Sequence, residues 1–184
     1  MDASNHLKPH RRLDDSSLHA EFGRWLGEHA GILHHVAHGF ATGADRDDLM
    51  QELLLALWRA IPAFKGNAKT STFVYRVAHN TALTWKRSHR GYLRRLERFE
   101  ALAPEPVSGE PAEDCDRERL EQVYRSLREF PPLDRSLLLL QLDGLAYAEI
   151  AEIHGLTESN VGARLTRLRT KLVQHLKPIV HELR

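Results

Sequence analysis

The sequence predicts an all-α protein: two small helical domains joined by a flexible, acidic, proline-containing linker, the second domain being a helix-turn-helix. Three observations predict it. Apolar residues recur at helical spacing through nearly the whole chain, and no run of any length alternates with the period of a strand. Residues 101–114, ALAPEPVSGEPAED, combine three prolines and a glycine with carboxylates and few large apolar groups, too little hydrophobic surface to offset the entropy of ordering. Residues 146–171 carry the small-residue, glycine and valine spacing of two helices crossing at a sharp turn. The implied organisation is a charged arm at 1–17, a helical domain at 18–98, the linker at 99–115, a second domain at 116–176 and a tail at 177–184.

The first helix is expected over 18–38. In 45–61, Leu49, Leu53, Leu57 and Ala60 fall at i, i+4, i+8 and i+11, with Ala56 and Ile61 beside them on one stripe. Asp45, Asp47 and Asp48 stand at its start, where carboxylates cap exposed amides and suit the helix dipole, and Pro62 ends it. A helix over 70–89, capped by Ser71 or Thr72, buries Phe73, Val74, Val77, Ala78, Thr81 and Leu83. After the linker, helices are expected over 116–129, 133–142, 146–153 and 157–176. In the last pair Ala151 is small where two helices cross, Gly155 permits the turn and Val161 fills the space between them. Thr157 fits the N-cap of the second helix. Val161, Leu165, Leu168 and Leu172 then face inward, leaving Glu158, Ser159, Asn160, Ala163, Arg164 and Arg167 outward, where such groups read base edges and phosphates in a major groove.

Charge is patterned along the chain. The 184 residues carry a formal net charge of +1, but 59–98 hold ten basic groups against Glu97 and 156–177 five against Glu158. Acidic stretches lie at 44–58 and 99–129, so neutrality is an average over two basic blocks separated by acid. The first block interleaves Phe64, Phe73, Tyr75 and Trp85 with Lys65, Lys69, Arg76, Lys86 and Arg87. Unpaired bases need flat partners and their backbone needs cations, so this composition suits single-stranded DNA, and Asn80, one turn beyond Arg76, is placed to meet a base edge. Each ring taken alone is better explained as core.

Other classes are disfavoured. The single cysteine, Cys115, excludes an intramolecular disulfide and fits a reducing, cytoplasmic setting. The N-terminus lacks a signal-peptide core, and no stretch reaches the ~20 apolar residues that span a bilayer, so no membrane insertion is expected. Without a phosphate-cradling glycine loop, a nucleophile elbow or a spaced carboxylate pair, neither an enzyme nor a cofactor is expected. Of the twelve histidines, His34 and His38 have a spacing that can hold zinc, but two ligands without a third do not make a site, and no metal is expected.

Taken in order, these residues resemble a known family. The run 45–52, DRDDLMQE, continuing LLLALWRAIPAFKG, resembles region 2 of bacterial sigma factors of the sigma-70 family, and STFVYRVAHNTALTWKR at 71–87 resembles the helix that follows it there. The segment 130–172 resembles region 4. Two modules in this order with a variable linker, at this length, are similar to the extracytoplasmic-function (ECF) class. The resemblance implies that Asp48, Gln51, Glu52 and Trp58 dock on the β′ clamp helices of the RNA polymerase core, which also offers its β subunit as a partner. It further implies that Phe64, Lys65, Lys69, Tyr75, Arg76, Asn80, Lys86 and Arg87 melt and capture the −10 element of promoter DNA. The −35 element would be read by Ser159, Asn160, Ala163, Arg164 and Arg167. A partner anti-sigma protein is usual in the class.

Two positions depart from the pattern: Phe73 stands where tryptophan is frequent, and Gly162 where a basic residue is common. The alternatives are a stand-alone helix-turn-helix regulator and, because of the histidines, a metal-dependent enzyme. On the sigma reading the free chain binds promoter DNA poorly and binds it well once the core holds the two basic faces apart.

Overall fold

Helix formation begins at Asp14, whose carboxylate accepts from the Ser17 amide at 2.9 Å and satisfies one of the unpaired N–H groups of the first turn. The structure, a computed structural model, describes residues 14–96 and 115–182, with side chains over 14–89 and 118–176. Helix α1, Asp15–Phe40, buries Trp25, Leu33, Val36, Ala37 and Phe40. It starts three residues before the domain boundary expected from sequence, because Asp14 rather than a later residue caps it.

Helix α2, Gly43–Ala60, also starts early. Thr42 holds the cap position without a side-chain bond, so Asp45 sits in the first turn and acts on the helix dipole, while Asp47 and Asp48 lie further in and do not cap it. The leucine stripe is as expected: Leu49, Leu53 and Leu57 are at most 1% exposed, each contributing about 1.5–3 kcal/mol of burial. A 3₁₀ turn, Ile61–Ala63, carries Pro62 and ends the element.

Helix α3, Thr70–Leu96, begins before Ser71 and Thr72, which therefore lie inside its first turn rather than capping it, and it runs beyond residue 89. Its innermost residues are Val74, Ala78, Ala82 and His79, while Phe73, Val77, Thr81 and Leu83 are half-buried. The rotation has a cause: α3 packs on α1 and α2 along one face and on the C-terminal helices along another.

The second half comprises α4, Cys115–Arg128; α5, Pro132–Leu142; α6, Tyr147–His154; and α7, Glu158–Glu182. Cys115 opens a helix rather than closing the linker, and α7 continues past the expected end at 176. The stretch 97–114, most of the expected linker, and most of the N-terminal arm lie outside the described residues. No strand occurs among those described.

The sequence suggests two separate cores, whereas α1 and α3 pack against α4, α5 and α6 and the buried side chains form one cluster from Trp25 to Leu172. The backbone of α1 comes close to α5 at Gly39, where an added Cβ would lie 2.6 Å from Leu139 Cδ1. Beside it the guanidinium of Arg135, 2% exposed, lies 5.1 Å over the Phe40 ring.

Candidate nucleic-acid and polymerase interfaces

On α2 the residues opposite the leucine stripe form a polar ridge. Asp48, Gln51 and Glu52 are all exposed, as a docking face requires. Trp58 differs: its ring is half-buried, with His19 edge-on at 4.6 Å and Phe22 at 5.2 Å, so it braces α2 against α1 and leaves only part of its surface for a partner.

Between α2 and α3 lies an open groove of ≈ 460 Å³ lined by Glu52, Asn80, Thr81, Thr84, Trp85 and Ser88. Trp85 stacks on His89 at 4.5 Å and 13°, with Lys86 Nζ 5.7 Å from its centroid. A flat, partly exposed ring held in place beside exposed amide and hydroxyl groups has the chemistry that an unstacked base requires. Thr84, Ser88 and His89 were not anticipated; their i, i+4 relation to Asn80, Thr84 and Trp85 was the available signal.

The eight residues expected at the −10 element fall into groups. Lys65, Asn80 and Arg87 are exposed and Lys86 is half-buried beside Trp85. Phe64 packs at 5.2 Å on Trp25 and 5.0 Å on Phe73, a ring cluster under the loop, so its first role is to hold that loop on the core. Lys69, Tyr75 and Arg76 all meet carboxylates of the C-terminal half. Lys69 Nζ is 3.5 Å from Glu149, Arg76 Nη2 donates to Glu152 at 2.7 Å, and the Tyr75 phenol lies beside the Asp143 carboxylate. Burial, with Asp143 close by, pushes the Tyr75 phenol up, so it stays a neutral donor.

The helix-turn-helix follows its sequence pattern. Gly155 adopts φ 66°, the left-handed conformation that ends α6, and the Leu156 amide donates to Ala151 O at 3.0 Å. Thr157 Oγ1 accepts from the Asn160 amide at 3.3 Å, the expected cap. Along α7, Ser159, Asn160, Ala163 and Arg167 are exposed on one face. Arg164 departs from the expectation of a free outward group: its Nε and Nη2 donate to Asp134 Oδ1 at 3.1 and 2.7 Å, because α5 starts alongside α7 at that point. Asp134, Thr170, Lys171 and Gln174 join Asn160, Arg164 and Arg167 around a wider groove of ≈ 790 Å³. Thr170, Lys171 and Gln174 stand at +3, +4 and +7 from Arg167 and extend the expected face of α7 by two turns.

Histidines gather where the two halves meet. His35 lies 3.4 Å from Asp143 and 3.3 Å from the Tyr124 hydroxyl. His79 Nδ1 contacts Ser136 Oγ, which also lies 2.9 Å from His154 Nε2. Desolvation lowers the pKa of all three rings, that of His154 to about 4, and for His35 the Asp143 charge opposes it. His38, tilted against Tyr124 at 5.3 Å, faces α4, while His34 is exposed. Among the described residues no three His, Cys, Asp or Glu side chains are grouped to hold a metal ion, and no helix is long and apolar enough to cross a membrane.

Comparison with known proteins matches these two halves separately. The family profile for sigma-70 region 2 covers residues 25–100 and that for sigma-70 region 4 covers 120–172. The chain is 28% identical over 150 residues to the ECF RNA polymerase sigma-E factor of Escherichia coli K12, covering 77% of this chain and 78% of that protein. It is 25% identical over 179 residues to the sigma-E factor of Haemophilus influenzae, covering 91% of each. The fold is similar to that of the sigma factor RpoE in complex with the anti-sigma factor NepR from Bartonella quintana, with TM-score 0.65, 21% identity, and 85% of this chain and 97% of that one covered. It is also similar to CnrH in complex with the cytosolic domain of CnrY, with TM-score 0.60, 23% identity, and 87% and 90% covered.

Proposed function

Because the chain belongs to the sigma-70 family, as a sigma factor of the ECF class that binds RNA polymerase and recognises promoters, we propose how its surfaces divide that work. Asp48, Gln51 and Glu52 on α2, with the free edge of Trp58, dock on the β′ clamp helices of the core. The β subunit meets the C-terminal half. The α2–α3 groove captures the non-template strand of the −10 element, with Trp85 as the stacking surface, Asn80 on the base edge, and Lys65, Lys69, Tyr75, Arg76, Lys86 and Arg87 along the backbone. The exposed face of α7 reads the −35 element as duplex through Ser159, Asn160, Ala163 and Arg167, with Arg164 held by Asp134.

Sigma factors are not enzymes, and opening of the duplex by this chain needs only differential binding: groups that hold unpaired bases better than paired ones shift the equilibrium toward the open state. The chain works in the cytoplasm, where polymerase and promoter are. An anti-sigma protein is a fitting partner, since the similar folds of RpoE and CnrH were seen in complex with the anti-sigma factor NepR and with the cytosolic domain of CnrY.

The observation that supports the reading best is the open α2–α3 groove, where Asn80, Thr84 and Ser88 surround the Trp85 ring beside the exposed Asp48, Gln51 and Glu52 of α2. Reconstitution with core polymerase on a promoter library tests it. Asn80→Ala with Trp85→Ala is expected to retain core binding and lose promoter opening, read by permanganate reactivity of unpaired thymines. Full opening by that variant would refute the assignment.

A further inference from the structure

Three residues of the proposed strand-capturing face are met from within the chain: Lys69 by Glu149, Arg76 by Glu152 and Tyr75 by Asp143. On that assignment each carboxylate meets a group that would otherwise meet the strand. The two ion pairs are well exposed, Lys69 at 78% and Glu152 at 52%, and pairs of that kind hold little against water. The adhesion lies beneath them. There Gly39 and Phe40 of α1 meet Leu139 and Arg135 of α5, and His79 of α3 meets Ser136 of α5 and His154 of α6.

One hydroxyl joins the two rings. Ser136 Oγ has a single proton to donate, so it is matched by one bare ring nitrogen and one N–H, an arrangement that two neutral imidazoles supply. His79 and Ser136 are 0% exposed, and His79 Nε2 is buried without a hydrogen-bond partner. Facing His79 are His154 from α6, His35 from α1, Tyr75 from its own helix and, across Phe40, the Arg135 guanidinium from α5. His154 faces His79 and Ser136. No carboxylate pairs with either ring among the described residues; Asp143 is engaged by His35 and Tyr75. A proton added to either ring therefore has no carboxylate paired with it, and at His79 it faces the Arg135 guanidinium across Phe40.

We propose that His79, Ser136 and His154 form an acid-sensitive latch: it holds the free chain closed with α6 over the strand-capturing face of α3, and protonation of the two rings opens it and bares that face. The masking rests on the assignment of α3 to strand capture made above, whereas the latch itself does not. In the closed form burial keeps His79 neutral to well below the ordinary histidine range and His154 to about 4, while in the open form both return towards ~6.5. The closed form is thus fully favoured above about pH 6.5 and loses ground as pH falls below that value. Between pH 7.5 and 5.5 the open-to-closed ratio rises about tenfold for each ring and about a hundredfold for the pair. His35, also lowered by burial, acts in the same direction, with Asp143 opposing it.

The test uses the full chain. Small-angle X-ray scattering from pH 7.5 to 5.5 is expected to show the radius of gyration rising while helical circular dichroism holds. His79→Asn places an amide at the Nδ1 position and His154→Gln one at the Nε2 position; neither titrates, and each variant should flatten the profile. His154→Gln, at the partly accessible ring, stands alone if His79→Asn fails to fold. A flat wild-type profile, or variants that open with the wild-type pH dependence, overturns the latch. Gly39→Leu, a wedge against Leu139, should open the chain at pH 7.5 and raise its affinity for a fluorescein-labelled mixed-sequence single-stranded oligonucleotide at least tenfold. Opening without that gain overturns the masking and the strand-capture assignment together, and leaves the latch standing.

Discussion

Arg135→Met is the sharpest test of how the C-terminal half is held. The side chain is 2% exposed, yet it carries a charge. Its Nε donates to Leu127 O at 3.1 Å and its Nη2 to Phe130 O at 3.0 Å and to Arg128 O. Helix α4 ends at Arg128, so Leu127 O and Arg128 O belong to its last turn and Phe130 O to the turn beyond it; Leu127 O also accepts from the Phe130 amide at 3.1 Å, and the guanidinium closes that end from the next helix. Methionine preserves much of the volume and removes every donor. Leu127 O keeps the Phe130 amide, whereas Arg128 O and Phe130 O lose this donor at about 1–3 kcal/mol each, and relief of the guanidinium's desolvation returns part of the sum, for a net loss of about 2–4 kcal/mol. With a urea slope of about 2 kcal/mol/M the midpoint should fall by about 1–2 M, followed by circular dichroism at 222 nm. Arg135→Lys, a compact charge without the planar fork, should recover only part of it. A midpoint within roughly 0.3 M of wild type for both variants would refute the account of this arginine as the closure of α4.

Glu52→Arg reverses charge on an exposed ridge and should weaken co-purification with core polymerase while leaving the thermal melt unchanged; unaltered core affinity would remove α2 as the docking face. Gly162→Ala places a Cβ 3.4 Å from Tyr147 Cε2, an ordinary contact, so relief of the glycine penalty of ~1 kcal/mol should raise the melting temperature by roughly 2–4 °C; a lower one would show the helix crossing too tight for a methyl group. Asp134→Asn loosens Arg164 from its anchor and should change −35 sequence preference more than total affinity, read by selection from a promoter library. A uniform loss across sequences would instead place Arg164 on phosphate.

The helices and the two functional halves were legible because their signals are local. The Leu49, Leu53 and Leu57 stripe, the Thr157 cap and the Gly155 turn each depend on neighbours within one or two turns, and each stands where the periodicity puts it. What sequence alone missed is what the second half does to the first. Nothing within α3 marks His79 as a fully buried residue, since its burial comes from α5 and α6, 57 and 75 positions away. Arg135 reads as a surface charge in LDRSLLLLQL until α4 ends against it. Arg164 faces outward by helical phase and is drawn in by Asp134, 30 residues earlier.

The near-neutral net charge acquires a spatial meaning from the same contacts. Glu121 of α4 receives Arg46 of α2 at 3.3 Å and Arg128 at 2.7 Å, and Arg128 in turn donates to His38 O of α1 at 2.9 Å. With Glu149 and Glu152 on the basic face of α3, acid from one half lies on base from the other in several places. Were these pairs the chief bond between the halves, salt alone would open the chain, since exposed pairs contribute about 0.2–1 kcal/mol each and are screened. The buried layer of Phe40, Leu139 and the histidine pair is insensitive to salt and sensitive to protons. The two agents therefore separate the contributions: closure that survives 0.5 M salt at pH 7.5 and yields at pH 5.5 in low salt assigns the adhesion to the buried layer, and leaves the surface carboxylates to set which face of α3 is covered.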